Sequence, residues 1–221
     1  MNGHSGLPKL PTSLALLAAL VGPPLFVLVP NWLFGRHPAL AIQVILQAAY
    51  CGLAALVVWV VVRREHLSLE SIGVRRPDLT TLISGGLLWG SLYLLPLMTQ
   101  PLVNALGTDG LEAGLKELAL LPVWFRVIVG LTGGIVEETL YRGYAIERLA
   151  AITGRRWLGG AISATAFGLA HIPWWGVGFA LGADLPFGIV MTIFYLWRRD
   201  LVANMIAHSG GLTVAMLTVA P

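Results

Sequence analysis

Long uninterrupted apolar runs constrain this chain more than any other feature of its sequence. Residues 39–62 read ALAIQVILQAAYCGLAALVVWVVV and contain no charged side chain. A helix needs about 20 predominantly apolar residues to cross a bilayer. By that criterion we also predict spans near residues 12–34, 79–98, 119–141, 157–172, 186–197 and 201–219. The predicted fold class is therefore all-α, a polytopic integral membrane helical bundle with about seven to eight transmembrane segments.

Composition agrees with a membrane protein. The chain is 57% hydrophobic and 11% charged, whereas about 25% of the residues in a soluble domain are charged. We expect one membrane-embedded domain over residues 1–221, surrounded by lipid. Pro23 and Pro24 predict a kink or break in the first span. The spans at 157–172 and 186–197 are short for a bilayer, so we expect them to tilt little, to end within the protein or to extend into residues 174–185, and Asp184 is assigned to a loop.

The basic residues indicate orientation. Cytoplasmic loops of membrane proteins are enriched in Lys and Arg. With seven spans and a cytoplasmic N-terminus, ten basic residues fall inside and two, Arg36 and Lys116, fall outside, while Arg126 and Arg142 lie at or within the fourth span. The inside set comprises Lys9, Arg63, Arg64, Arg75, Arg76, Arg148, Arg155, Arg156, Arg198 and Arg199. The net charge of +3 is thus explained by topology, and we expect no nucleic-acid partner.

The main polar stretch joins the second and third spans and reads RREHLSLESIGVRRPD, residues 63–78. Its alternation of leucines and arginines predicts a segment lying on the cytoplasmic membrane surface, with arginines near the lipid headgroups. A solvated connecting loop is the other reading of the same pattern.

Very few polar side chains lie deep in the apolar runs, and they come from three different spans. Charged residues at membrane depth are costly, usually face the bundle interior and mark function by default. One shared site is the most economical explanation of the set. Its members are Glu137, Glu138, Arg142, His171, Asn204 and His208.

Helical spacing indicates which of these polar side chains can pair with each other. Glu138 and Arg142 are four residues apart and can pair along one face, which leaves Glu137 free to face the histidines. Phe167 and His171 share a face for the same reason, as do Asn204 and His208. The predicted spans place Glu137 near the cytoplasmic end and His171 toward the outer end, unless the fourth helix extends beyond residue 141.

A carboxylate beside imidazoles can activate water as a general base. Two histidines and a glutamate, here His171, His208 and Glu137, can instead hold Zn²⁺ with an open position for water. Either route predicts a hydrolase, and both are equally compatible with the residues. His208 with Asn204 could donate hydrogen bonds to a tetrahedral oxyanion.

Two short motifs give a family resemblance. EETLYR (137–142) matches E-E-x-x-x-R, and FGLAH (167–171) matches F-x-x-x-H. Together with the later intramembrane histidine, they resemble the CAAX-protease and bacteriocin-processing (Abi) family of intramembrane proteases, whose eukaryotic members are similar to CAAX prenyl protease 2. The resemblance covers about 120–215, a protease-like core, and SLESIGVRRPD (68–78) is also similar to the family.

The resemblance implies a role for each matching residue. Glu137 and His171 would activate water or bind a metal, and His208 would help to form the oxyanion hole. Glu138 would support the site, and Arg142 would hold the glutamate pair. The family usually has Asn or Asp four residues after the third-motif histidine, where this chain has Leu212. Asn204, one turn before His208, is our candidate substitute.

These observations predict an intramembrane endopeptidase of the cell membrane, with its active site toward the cytoplasm and a membrane-associated protein or peptide as substrate. A non-catalytic immunity or scaffold protein of the same fold is one alternative, and a proton-coupled transporter is another. Structural readings also stay open: an ion pair for Glu138 and Arg142, a carbonyl-bonded His171, and an interhelical hydrogen bond for His208 with Asn204. The sequence does not indicate the substrate or the oligomeric state.

Overall fold

The computed structural model describes residues 7–36, 38–108 and 110–219, and these residues form helices and connecting segments without a β-strand. The all-α prediction is confirmed. The α-helices are α1 (Lys9–Phe34), α2 (Leu40–Arg63), α3 (Leu79–Leu92), α4 (Leu95–Leu106), α5 (Leu111–Ala119), α6 (Val123–Glu137), α7 (Glu147–Thr153), α8 (Arg156–Ala170), α9 (Ile172–Phe179), α10 (Leu185–Arg198) and α11 (Leu201–Thr218). A 3₁₀ turn spans Leu69–Ile72, and π-helical segments span Glu138–Ile146 and Ala180–Asp184.

Five helical segments in the described residues are long and apolar enough to cross a membrane. They are Lys9–Phe34, Leu40–Arg63, Leu79–Leu106, Ile172–Arg198 and Leu201–Thr218. A multi-pass membrane protein is thereby confirmed, whereas the predicted count of seven to eight spans is not. The remaining predicted spans correspond to α6 with its continuation and to α8, which carry most of the candidate site.

Two helices depart from their predicted bounds. α1 continues through Pro23 and Pro24 without a break, as membrane helices tolerate proline where neighbours satisfy the freed backbone groups. The short span predicted at 186–197 extends through residues 174–185, which was one of the alternatives, and the assignment of Asp184 to a loop is wrong because this residue is helical. The chain is helical from Ile172 to Arg198, with a bend at Gly176, whose φ of 79° suits a residue without a Cβ.

Ion pairs gather the loops at one end of the bundle, which we call the basic end. Arg148 pairs with Glu65 at 2.7 Å, and Arg199 pairs with Glu147 at 2.9 Å. The 63–78 segment belongs to this end and folds back onto the bundle, where its Ile72 is completely buried. At least one of its apolar side chains therefore packs inside the protein, while its position relative to the membrane surface stays a prediction.

The same segment leads directly into α3. The Asp78 carboxylate accepts a hydrogen bond from the Thr81 backbone N–H at 2.8 Å, as an N-cap residue does. This bond keeps the pKa of Asp78 below its usual value because it stabilises the ionised carboxylate.

At the opposite end, contacts join the loop after α1, the helix α5 and the C-terminus of α11. Arg36 pairs with Glu117 at 2.6 Å. Arg126 donates hydrogen bonds to the backbone oxygens of Met216 and Val219 at 3.2 and 2.9 Å. The protein therefore has two chemically distinct ends, and Arg126 belongs to the less basic one.

Close packing of α6 against α11 brings the first motif next to the last histidine. A Cβ added at Gly134 would lie 2.6 Å from the Ser209 backbone nitrogen, and one at Gly130 would lie 2.6 Å from the Thr213 Cα. Only glycine permits this approach of two backbones. The glutamates begin one helical turn later, so the same packing sets their position against α11.

Candidate active site

The helix that carries the glutamates does not end at residue 141. α6 passes into the π-helical segment and then into α7, so the chain stays helical from 123 to 153. Glu137 therefore lies about 24 Å along the helix from Thr153, and His171 lies about 22 Å along α8 from Arg156. The difference in depth between Glu137 and His171, which the shorter predicted span implied, is therefore removed. π-helical segments inside α-helices frequently occur at functional sites.

Glu138 is the centre of a buried polar cluster. Its carboxylate accepts hydrogen bonds from Arg142 at 2.9 Å, from Asn204 Nδ2 at 3.1 Å and from His208 Nδ1 at 2.8 Å. The Glu138 and Arg142 side chains are both 0% exposed. Such a pair is tolerated at this depth only because each charge has partners. Glu138 thus holds α11 against α6.

Arg142 extends this cluster toward α8 and α10. It donates a hydrogen bond to the Gly188 carbonyl oxygen at 3.2 Å, and its guanidinium lies 4.2 Å from the centre of the Phe167 ring. The Phe167 ring also lies 4.5 Å from the His171 ring. Arg142 and Phe167, both predicted as supporting residues, therefore connect the buried cluster to His171.

Glu137 occupies a different environment, although it is the neighbour of Glu138. Its Oε2 atom is 3.7 Å from His208 Nε2 and 4.0 Å from His171 Nε2. This oxygen is buried and has no hydrogen-bond partner among the described residues. A carboxylate oxygen left unpaired between two imidazoles is arranged to receive a further polar group.

The other nitrogen of each imidazole is already occupied. His171 Nδ1 lies 2.8 Å from the Phe167 carbonyl oxygen, which can only accept, so this nitrogen carries the proton. His208 Nδ1 lies 2.8 Å from Glu138, whose pairing with Arg142 keeps it ionised, and it is likewise the donor. In the neutral histidines, both Nε2 atoms therefore present a lone pair toward Glu137.

These three side chains line a largely apolar cavity of about 620 Å³. Tyr50 and Asp184 line it as well, and neither was predicted from the sequence. Asp184 was assigned to a loop because the helix through residues 172–198 was not recognised. Tyr50 lies in an apolar span, where a single hydroxyl gives little signal.

One predicted site residue, Asn204, does not have the expected geometry. Asn204 is fully buried, its Nδ2 donates to Glu138 and to the Met191 carbonyl oxygen, and it does not line the cavity. The structure therefore does not support Asn204 as a substitute oxyanion donor. Leu212 does line the cavity, so an apolar side chain occupies the place of the family amide.

The donor types of Glu137, His171 and His208 fit Zn²⁺, and each histidine is held through its second nitrogen, as metal ligands usually are. Their spacing is wider than a bound ion requires, since tetrahedral zinc ligands lie about 3.3 Å apart. Among the described residues, no group of three such side chains has metal-binding geometry. Small side-chain rotations would be needed to enclose an ion.

Comparison with known proteins agrees with this site. Residues 119–211 match the family model described as type II CAAX prenyl endopeptidase Rce1-like. The matched region contains both glutamates, Arg142 and both histidines of the site. No curated protein and no solved structure matches the chain. The predicted resemblance is confirmed: the match over residues 119–211 supports membership of the CAAX-protease and bacteriocin-processing family.

Proposed function

We propose that this protein is an intramembrane endopeptidase that hydrolyses a peptide bond of a membrane-associated protein or peptide. The observation that carries the proposal is the unpaired Glu137 oxygen, which lies between two imidazole nitrogens in the wall of a cavity. Family membership supports protease chemistry in general. The roles of individual residues are our inference from their geometry.

In the proposed reaction, Glu137 accepts a proton from a water molecule that His171 orients, and the resulting hydroxide adds to the carbonyl carbon. The reaction requires His208 to be protonated on both ring nitrogens, so that its Nε2 donates a hydrogen bond to the oxyanion while Glu138, which is held by Arg142, accepts from its Nδ1. Glu137 then passes its proton to the amide nitrogen as the C–N bond breaks. Every proton in this sequence comes from water or from a named side chain.

Zn²⁺ is the alternative activator of the same water. Glu137, His171 and His208 would hold the ion, and it would supply a more acidic bound water and polarise the carbonyl. Glu138 and the Phe167 carbonyl oxygen would orient the two histidine ligands in that case. Both routes hydrolyse the same peptide bond with the same water. An experiment with a chelator is therefore needed to distinguish them.

The direct test is cleavage of a fluorogenic library of apolar peptides by the purified protein in lipid vesicles. We expect turnover by the wild type and its loss in Glu137→Gln and His171→Ala. Glu112→Gln, on the exposed face of α5, is the matched control and is expected to keep full activity. Inhibition by a chelator, reversed by added Zn²⁺, would select the metal route.

Two outcomes would favour other functions. Wild-type phenotype in cells that carry Glu137→Gln would favour the non-catalytic immunity or scaffold protein. Substrate flux that follows an imposed pH gradient and stops in the same variant would favour the transporter. Either result, obtained with normally folded protein, would contradict the peptidase.

A further inference from the structure

A second depression, of about 440 Å³, lies at the basic end of the bundle. It shares no lining residue with the cavity beside Glu137. Its walls come from the 63–78 segment, from the start of α8 and from the last turn of α10. Four of the lining residues are arginines, and we therefore call the depression the arginine groove. These are Arg75, Arg156, Arg198 and Arg199.

The carboxylates that pair with these arginines are more deeply buried than the arginines themselves. Arg75 pairs with Asp200 at 3.2 Å, and Arg156 and Arg199 share Glu147, each at 2.9 Å. The side chains of Asp200 and Glu147 are 0% and 10% exposed, whereas those of the three arginines are 41–47% exposed. The accessible surface of the groove is therefore formed mainly by guanidinium groups.

The groove has more cationic donors than the protein itself neutralises. Arg198 has no ion-pair partner among the described residues, and its guanidinium lies 5.6 Å from the centre of the Trp197 ring. The Nε–H groups of Arg156 and Arg198 have no hydrogen-bond acceptor in the described part of the chain. The four guanidinium groups face only three carboxylates, because Glu70 is the one acidic residue in the lining. One phosphodiester group would balance this charge, and guanidinium groups bind phosphate oxygens through paired N–H donors.

An exposed apolar stripe leads from the groove along α10. Ile189, Ile193 and Trp197 are four residues apart and therefore share one face of the helix. They are 43%, 62% and 75% exposed, in a helical segment long and apolar enough to cross a membrane. Lipid covers such a face, and tryptophan at the end of a span is typical of the membrane interface. An acyl chain on this stripe would have its headgroup beside the arginine groove.

We propose that the arginine groove binds the phosphodiester headgroup of an anionic phospholipid, with an acyl chain along Ile189 and Ile193. A phosphate group is the ligand whether it comes from a lipid or from solution, and the apolar stripe favours the lipid. Basic pockets between transmembrane helices bind anionic headgroups in this way. A bound headgroup would connect α8, α10 and the 63–78 segment, since each contributes an arginine. The proposal does not depend on peptidase activity.

The test is titration of the purified full-length protein in detergent with three ligands. They are phosphatidylglycerol, phosphatidylcholine with the same acyl chains, and inorganic phosphate. Native mass spectrometry measures the bound fraction, and thermal unfolding measures the stabilisation. We expect phosphatidylglycerol to bind and stabilise more strongly than either of the others. Equal binding of the two lipids would overturn the proposal, and binding of inorganic phosphate as tight as that of phosphatidylglycerol would contradict a lipid site.

Neighbouring arginines provide matched variants. Arg198→Gln removes a groove guanidinium that has no ion pair to lose, whereas Arg155→Gln removes an exposed one that does not line the groove. We expect Arg198→Gln to bind phosphatidylglycerol about fivefold more weakly, and Arg155→Gln to bind it as the wild type does. Without added lipid, both variants should unfold at the wild-type temperature. Equal weakening by the two variants would overturn the proposal, because a diffuse positive surface would then explain the binding.

Discussion

At the scale of single residues, two adjacent glutamates have opposite tasks. Glu138 has three hydrogen-bond partners and no exposure, whereas Glu137 has an unpaired oxygen that faces a cavity. The i,i+4 rule predicted the Glu138–Arg142 pair from the sequence, and the structure places both side chains as expected. The bond from Asn204 to Glu138 was not predicted, because helical spacing shows which face a residue shares but not what lies opposite that face.

This division predicts different consequences for the same substitution. Glu138→Gln leaves the Arg142 charge buried without its carboxylate, which we expect to lower the free energy of unfolding by about 3–5 kcal/mol. Glu137 Oε2 has no hydrogen-bond partner to lose among the described residues, so Glu137→Gln should change the free energy of unfolding by less than about 0.5 kcal/mol. Denaturant unfolding in mild detergent, monitored by tryptophan fluorescence, measures both. Equal destabilisation by the two variants would contradict the division.

The substitution Leu212→Asn tests whether the cavity lacks an amide that could donate a hydrogen bond to the oxyanion. One oxyanion donor contributes about 10²–10³ in kcat, and Leu212 occupies the cavity wall where the family pattern usually has Asn or Asp. We expect Leu212→Asn to raise kcat by up to that factor, with little change in KM. Leu212→Val is the size control and should give no gain. A fall in kcat with the asparagine would show that the apolar wall itself is required.

At the scale of helices, glycines decide how closely the site elements approach. The sequence contains two pairs of glycines four residues apart, Gly86 with Gly90 and Gly130 with Gly134, and only the second pair lies in a tight helix contact. A Cβ at Gly86 or Gly90 meets nothing within 4 Å, whereas Gly130 and Gly134 are in contact with α11. A spacing of four residues indicates a possible contact face, but the partner helix determines whether the face is used.

Gly134→Ala should therefore separate α6 from α11. We expect the free energy of unfolding to fall by about 1–3 kcal/mol through overpacking, and peptidase activity to fall with it because His208 moves relative to Glu137. Gly90→Ala is the control: its Cβ would meet open space, and helix propensity alone favours it by up to about 1 kcal/mol. Full stability of Gly134→Ala would contradict the tight crossing.

At the scale of the whole molecule, the basic end is fixed by ion pairs between distant segments. Glu65 accepts hydrogen bonds from Thr12, Tyr144 and Arg148, which joins α1, the π-helical segment and α7 to the 63–78 loop. The sequence predicted the helices and the location of these charges near the membrane surface. It did not predict that the loop folds inward, because the partner of Glu65 lies 83 residues away.

Arg148→Met tests the importance of that network. Loss of the Arg148 guanidinium leaves Glu65 buried without a cation. We expect the free energy of unfolding to fall by about 3–5 kcal/mol, measured by thermal unfolding in lipid nanodiscs. Arg155→Met, at an exposed arginine of the same end, is the control and should unfold as the wild type does. Similar unfolding of both variants would show that lipid headgroups, and not Arg148, stabilise this end.

The apolar lining of the cavity also restricts what kind of polypeptide the proposed peptidase could cut. Besides Glu137, Arg36 and Asp184 are the charged side chains of the lining. A peptide with several charges would therefore lose its water of hydration on entry without gaining partners. An uncharged, apolar segment would enter at lower cost, which would limit cleavage to sequences that the surrounding lipid also accommodates.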